Sequence, residues 1–149
     1  MTFRIATTAD IAPIMEIVAD AQLLLRSLGI DQWQDGYPTQ NIILSDISYN
    51  NNYIVELNGV MSATFVASFD GEPTYSEIKG RGWLNENIYA VIHRIAVADS
   101  CRRKGIAKEI LHYTEELCVE RGVKDIRIDT HCDNLAMRSL LKKMILADF

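Results

Sequence analysis

Apolar and polar positions alternate with changing period along the chain, and each change marks an element. Phe3-Arg4-Ile5-Ala6 reads as a short first strand. Thr8, which can cap a helix, and Asp10 precede Ile11, Ile14, Met15, Val18, Ala21, Leu25 and Leu28 at helical spacing, with Gly29 as the stop. Asp31 to Pro38 is a loop, and a second helix is predicted over Thr39 to Tyr49, its faces set by Ile42, Ile43, Asp46 and Ile47. Asn52–Leu57 and Val60–Ser68 read as strands joined by Asn58-Gly59, a strong hairpin signal. Tyr75 to Glu86 has no clear period and reads as a loop. A fourth strand, Ile88 to Val97, is apolar on both faces and therefore central. A helix from Lys104 to Arg121 closes at Gly122, Asp125 to Thr130 alternates as a fifth strand, and Asp133 caps a last helix to about Met144.

Chemistry enters where the fourth strand runs through Cys101-Arg102-Arg103-Lys104-Gly105-Ile106-Ala107 into a helix. Such a turn can aim several backbone N–H groups at one point, and the helix N-terminus adds partial positive charge, which suits a pyrophosphate. Gly105 lets the backbone come close to an anion, and the small Ala107 follows it. Arg102, Arg103 and Lys104 bring positive charge to the same place.

Composition narrows the alternatives. A chain of 149 residues fits a single domain, residues 1–149, with a sizeable core. A formal net charge of −5 argues against nucleic-acid binding by the whole surface and makes the basic triplet stand out. No apolar run is long enough for a membrane span, and the N-terminus lacks a secretory pattern, so a cytoplasmic protein with no membrane partner is expected. Three cysteines do not make a disulfide framework, and no Cys/His spacing suggests a metal.

The turn resembles the Arg/Gln-x-x-Gly-x-Gly/Ala motif of the GNAT superfamily of N-acetyltransferases, matched by Arg102, Gly105 and Ala107. Ile95-Ala96-Val97 is similar to the family's acetyl-CoA strand, and the segment from Asn134 to Lys143 to its Asn-bearing helix. The resemblance runs from about Phe3 to Lys143. It implies an α/β (α+β) fold of order βααβββαβα, with a mixed, mostly antiparallel central sheet and helices on both faces. It implies transfer of an acetyl group from acetyl-CoA, bound as co-substrate without a metal, to a primary amine of a small molecule or peptide. Ile95, Ala96 and Val97 are then expected along pantetheine, Arg102, Arg103, Lys104, Gly105, Ile106, Ala107 and Lys108 at the pyrophosphate, and Asn134 on the pantetheine or phosphate arm.

A lysine-like amine has a pKa of about 10.4, so it needs a base or a desolvated pocket before it can attack a thioester. His93, on the same face of the fourth strand as Val91, the position where many relatives place a glutamate, is the first candidate base, and His131 beside Asp129, Asp133 and Asn134 is the second. Strict alternation sends Arg94 to the face opposite His93, toward a carboxylate. The family's tyrosine acid falls at Leu141, with Tyr113 as a conceivable substitute. Trp33, Tyr37, Tyr75 and Trp83 are candidates for the acceptor wall, with the bland alternative that such aromatics are core. Relatives continue past the last helix with Gly-Phe and two more strands, where this chain reads Met144 to Phe149. An unpaired fifth strand is expected from that, and with it a homodimer. The second function class is a non-catalytic acyl-CoA-binding domain that senses or scaffolds.

Overall fold

The computed structural model describes residues 1–69 and 89–128. Its elements are β1 (Thr2–Ile5), α1 (Ile11–Ser27), α2 (Gln40–Ser48), β2 (Asn52–Leu57), β3 (Val60–Ser68), β4 (Tyr89–Val97), α3 (Ile106–Arg121) and β5 (Asp125–Ile128). Among the described residues the five strands form one sheet in sequence order. The pairs β1–β2, β2–β3 and β3–β4 are antiparallel, and β4–β5 is parallel. Asn58 and Gly59 both take positive φ, as a two-residue hairpin turn of matching twist requires.

The alternation of β2 and β3, broken once where Ser62 is the extra residue opposite Val55 and Glu56, sorts the core onto two faces. Ile54 and Met61 meet Ile14 and Val18 of α1 and Ile43 and Ile47 of α2. Tyr53, Val55, Ala63, Phe65 and Ala67 turn the other way, onto Ile106, Ile110 and Leu111 of α3. Helices therefore cover both faces of the mostly antiparallel sheet. At the β1 end of the α3 face, Phe3 stacks on Tyr113 with ring centroids 4.2 Å apart, beside Tyr53 and Phe65.

The structure moves several expected boundaries. The first helix is entered from Thr7, one residue before the expected cap, through a 3₁₀ turn at Thr8–Asp10. The Asp10 carboxylate accepts the Thr7 N–H at 2.8 Å and also pairs with Arg4. The α3 helix begins at Ile106 rather than Lys104, because Arg103 and Gly105 both sit at positive φ, outside a right-handed helix.

A second departure from regular pairing lies in β4. Thr64 faces Ala96 and Val66 faces His93, so two residues, Arg94 and Ile95, oppose the single Phe65. This is a β-bulge, with Arg94 in the left-handed region at φ 53°. It shifts the side-chain parity: Ile92 before it and Ile95 and Val97 after it all pack toward α3, while Ala96 packs on Ile17 and Ala21 of α1. His93, paired with Val66, lies on the face opposite Phe65 and Ala67, the one covered by α1 and α2. Arg94 reaches α2 on that same face. The opposite-face expectation for these two residues fails because an inserted residue breaks a period of two.

Candidate active site

Two neighbouring regions meet at the bulged half of β4. The first is the turn that follows it. A 3₁₀ turn at Asp99–Cys101 leads into Arg102–Gly105 and the start of α3. Gly105 is the N-cap at φ 74°, with no side chain to cap the helix, so the first N–H groups of α3 keep an anion-binding arrangement. A Cβ on Gly105 would meet no protein atom within 4 Å, so the protein's own demand for glycine here is conformational. Arg103, Lys104 and Lys108 are exposed around the turn, while Ile106 is buried beneath it and Ala107 is half-buried.

Arg102 has a different task from its neighbours. Its guanidinium pairs with Asp99 and donates to the Asp20 carbonyl of α1 at 3.0 Å. The Asp99 N–H donates to the Asp20 carboxylate at 3.3 Å. Arg102 thus fastens the turn to α1 across the end of the sheet.

The second region is the loop between α1 and α2. Trp33 packs against the cluster of Ile17, Ala21 and Ala96, and its ring meets Tyr37 edge-on at 6.4 Å. The Tyr37 carbonyl accepts from Gln22 Nε2 at 2.9 Å, and Gln34 Nε2 donates to the Gln22 carbonyl at 3.0 Å, so the loop is bonded to α1 at two points. Trp33 has φ 65°, an outlier for so bulky a residue that the surrounding contacts must sustain.

Arg94 joins this loop to β4. Its Nε and Nη2 donate to the two oxygens of Asp46 at 2.8 and 2.6 Å, and its Nη1 donates to the Tyr37 hydroxyl at 2.8 Å. The pair is well shielded, with side-chain exposures of 13% and 11%. Burial works against the charge on Arg94, but the Asp46 carboxylate and then Tyr37 outweigh it, and the guanidinium is held protonated more firmly than usual. A carboxylate partner for Arg94 is expected from the sequence and Tyr37 is a candidate on its own, but the choice of Asp46 and the joining of the three residues were not read from the sequence. The network's signals were an arginine in an otherwise apolar central strand and an aspartate placed with Ile43 and Ile47 on the inner face of α2, each of which demands a partner.

The parallel pairing of β4 with β5 runs from Tyr89↔Asp125 to Ile92↔Ile128. Ile128 is the last described residue of β5; on β4, His93 and then Ile95–Val97 follow Ile92. His93 is half-buried. The structure therefore brings together His93, the Ile95–Val97 segment, the Arg102–Lys108 turn, Trp33 and Tyr37 at one end of the sheet. Tyr113 belongs to the α3 face, stacked on Phe3, and burial raises its pKa, helped by Glu120 and Glu116. His131, Asn134, Tyr75, Trp83 and Leu141 lie outside the described residues, as do the last helix and the chain end on which the homodimer expectation rests. Among the described residues no group of His, Cys, Asp and Glu has the arrangement of a metal site, and no helix is long and apolar enough to cross a membrane.

The comparisons with known proteins agree with this geometry. The profile of the acetyltransferase (GNAT) family matches residues 19–144. A GNAT-family acetyltransferase from Streptococcus agalactiae superposes with a TM-score of 0.79 at 30% identity, over 95% of this chain and 82% of its own. One from Listeria monocytogenes gives 0.77 at 19% identity, over 95% and 83%. A predicted acetyltransferase from Clostridium acetobutylicum, solved with acetyl-CoA, gives 0.61 at 21% identity, over 96% and 87%. No curated protein matches the sequence significantly. The chain belongs to the GNAT family of acetyltransferases.

Proposed function

We propose that the protein is an acetyl-CoA-dependent N-acetyltransferase that acts on a primary amine by direct attack in a ternary complex. The observation that carries this reading is the bulged β4, which runs through a short turn into an uncapped helix N-terminus at Gly105. Pantetheine lies along Ile95, Ala96 and Val97, and the pyrophosphate is held by main-chain N–H groups between Arg102 and Lys108. Arg103 and Lys104 add charge, and Arg102 acts by holding the turn in shape. The Clostridium relative, solved with acetyl-CoA, supports the identity of the donor.

In this reading His93 takes a proton from the acceptor ammonium, and the neutral nitrogen attacks the thioester carbonyl. A C–N bond forms, the oxyanion is met by a β4 N–H, the nitrogen gives up its second proton to solvent, and collapse breaks the C–S bond to expel the coenzyme A thiolate, which takes a proton from solvent. A thiol with a pKa of about 8.5 is a fair leaving group, so the step does not require a strong acid from the protein. His131 and Asn134 are the remaining candidates for base and for cofactor contact.

The test is release of coenzyme A thiol from acetyl-CoA against a panel of primary amines. Amine-dependent release is expected. His93→Ala lowers kcat by about 10²–10⁴-fold, the usual worth of a general base, and removes the acidic limb of the pH–rate profile. If His131→Ala produces that effect instead, the base is His131. Tight acetyl-CoA binding with no amine-dependent release supports the sensor or scaffold reading.

A further inference from the structure

The Arg94–Tyr37 hydrogen bond has a direction with chemical consequences. Arg94 is a donor only, so the Tyr37 hydroxyl must spend a lone pair on it, and its own O–H stays a donor. Tyr37 is 36% exposed, while the guanidinium behind it is shielded and already neutralised by Asp46. Its carbonyl is bonded to Gln22, and its ring is set edge-on to Trp33, which rests on Ala96 of β4. The loop thus offers the acceptor side of β4 a fixed, polarised hydrogen-bond donor on an aromatic wall. A donor in that place pairs with an oxygen on the acceptor. It does nothing for a second ammonium, which needs an acceptor of hydrogen bonds. Resting on the acetyltransferase reading, we infer that the Tyr37 hydroxyl, oriented by Arg94 as a positioning residue, selects primary amines that carry a carbonyl or carboxylate oxygen close to the nitrogen. Amino acids, their amides and peptide N-termini share that chemistry.

The test uses equilibrium binding, so that it does not depend on turnover. The whole protein saturated with coenzyme A is titrated calorimetrically with alaninamide, alanine, isopropylamine and 1,3-diaminopropane. The two oxygen-bearing amines are expected to bind about tenfold more tightly than the other two, the worth of one hydrogen bond to a polarised donor. Alanine against alaninamide tells whether a carboxylate or a neutral carbonyl is preferred. Tyr37→Phe removes the donor and keeps the ring, and the tenfold preference is expected to fall to about twofold or less. Arg94→Lys, which cannot hold Asp46 and Tyr37 in the same fork, should lose the same preference. Tyr37→Phe and Arg94→Lys together should lose no more than either alone, since both act on one bond. A purely structural role for Arg94 would lower the melting temperature and leave the preference intact. Equal affinities across the panel, no amine binding, or a preference that survives Tyr37→Phe would each overturn the inference. Acetyl transfer is measured alongside: its absence with the preference intact removes the enzymatic reading only, and its presence without the preference removes this inference only.

Discussion

The two halves of the site are built from different materials. The turn after β4, the cofactor half as proposed, offers main-chain N–H groups and left-handed φ values at Arg103 and Gly105, all within a few residues of one another. The proposed acceptor side is built of side chains drawn from distant parts of the chain: Tyr37 from the loop, Asp46 from α2 and Arg94 from β4. A main-chain site needs little more than a permissive glycine and a helix start, so it tolerates varied side chains. A side-chain site depends on each of its members, and on the bulge that aims one of them.

The sharpest way to break this contrast is to remove one member of the buried pair. Arg94→Ala leaves the Asp46 carboxylate shielded and unpaired, and should cost about 3–5 kcal/mol in urea unfolding. Arg94→Met combined with Asp46→Leu should recover much of that, since a matched apolar pair carries no stranded charge. If Arg94→Ala costs no more than a surface substitution, the acceptor side is not held together as described.

The corresponding blow to the main-chain half falls on binding. Gly105→Val puts a branched residue at φ 74° and a side chain over the first N–H groups of α3. Coenzyme A affinity should drop by about 100-fold or more, about 3 kcal/mol, while strain takes about 1–2 kcal/mol from stability. Gly105→Asn, which tolerates the left-handed region better, should return most of the stability and little of the affinity, separating strain from obstruction. Undiminished affinity in Gly105→Val would remove the turn from the cofactor site.

Arg102→Ala sharpens the contrast at smaller scale. Its guanidinium is engaged with Asp99 and the Asp20 carbonyl, so coenzyme A affinity should fall by less than tenfold, about 1 kcal/mol. Raising the salt concentration should change affinity more through Arg103 and Lys104.

The smallest effect belongs to an ion pair nearer solvent. Hydrogen bonding from Arg4 holds the Asp10 carboxyl down from 3.8 to about 2, against the opposing pull of burial. A depressed carboxyl stabilises the fold above its unfolded pKa, and that contribution disappears as pH falls from about 4 toward 2. Arg4 is 40% exposed, so screening reduces the contribution to about 1 kcal/mol. Asp10→Asn should flatten the acid limb of stability against pH by about that amount.

The same contrast explains what could be read before any coordinates. The glycine turn, the hairpin at Asn58-Gly59 and the two-faced sheet are local patterns, and each appears where periodicity and turn chemistry predict it. The bulge was not legible, because an extra residue in a strand leaves the run of apolar residues from Ala90 to Val97 unbroken except at His93-Arg94. Without the bulge, counting by twos puts Arg94 on the wrong face. The bonds of Arg102 to Asp99 and Asp20 were equally hidden, since an arginine in a basic triplet beside a glycine invites a ligand before it invites a neighbour.

The stack of Phe3 on Tyr113 has a consequence for the order in which the protein takes shape as it is made. The β2–β3 hairpin and the two helices before it can settle soon after they leave the ribosome, since they meet neighbours close in sequence. Phe3 can meet Val55 and Phe65 at that stage, but the ring it stacks on is synthesised about 110 residues after it, which at about 5–20 residues per second is a delay of roughly 5–20 s. Through the later part of that interval, once β3 has been made, the α3 face of the sheet, with Tyr53 and Phe65 on it, is an apolar surface still awaiting its cover. The interval before α3 emerges is therefore when a nascent chain of this fold most needs shielding from its neighbours.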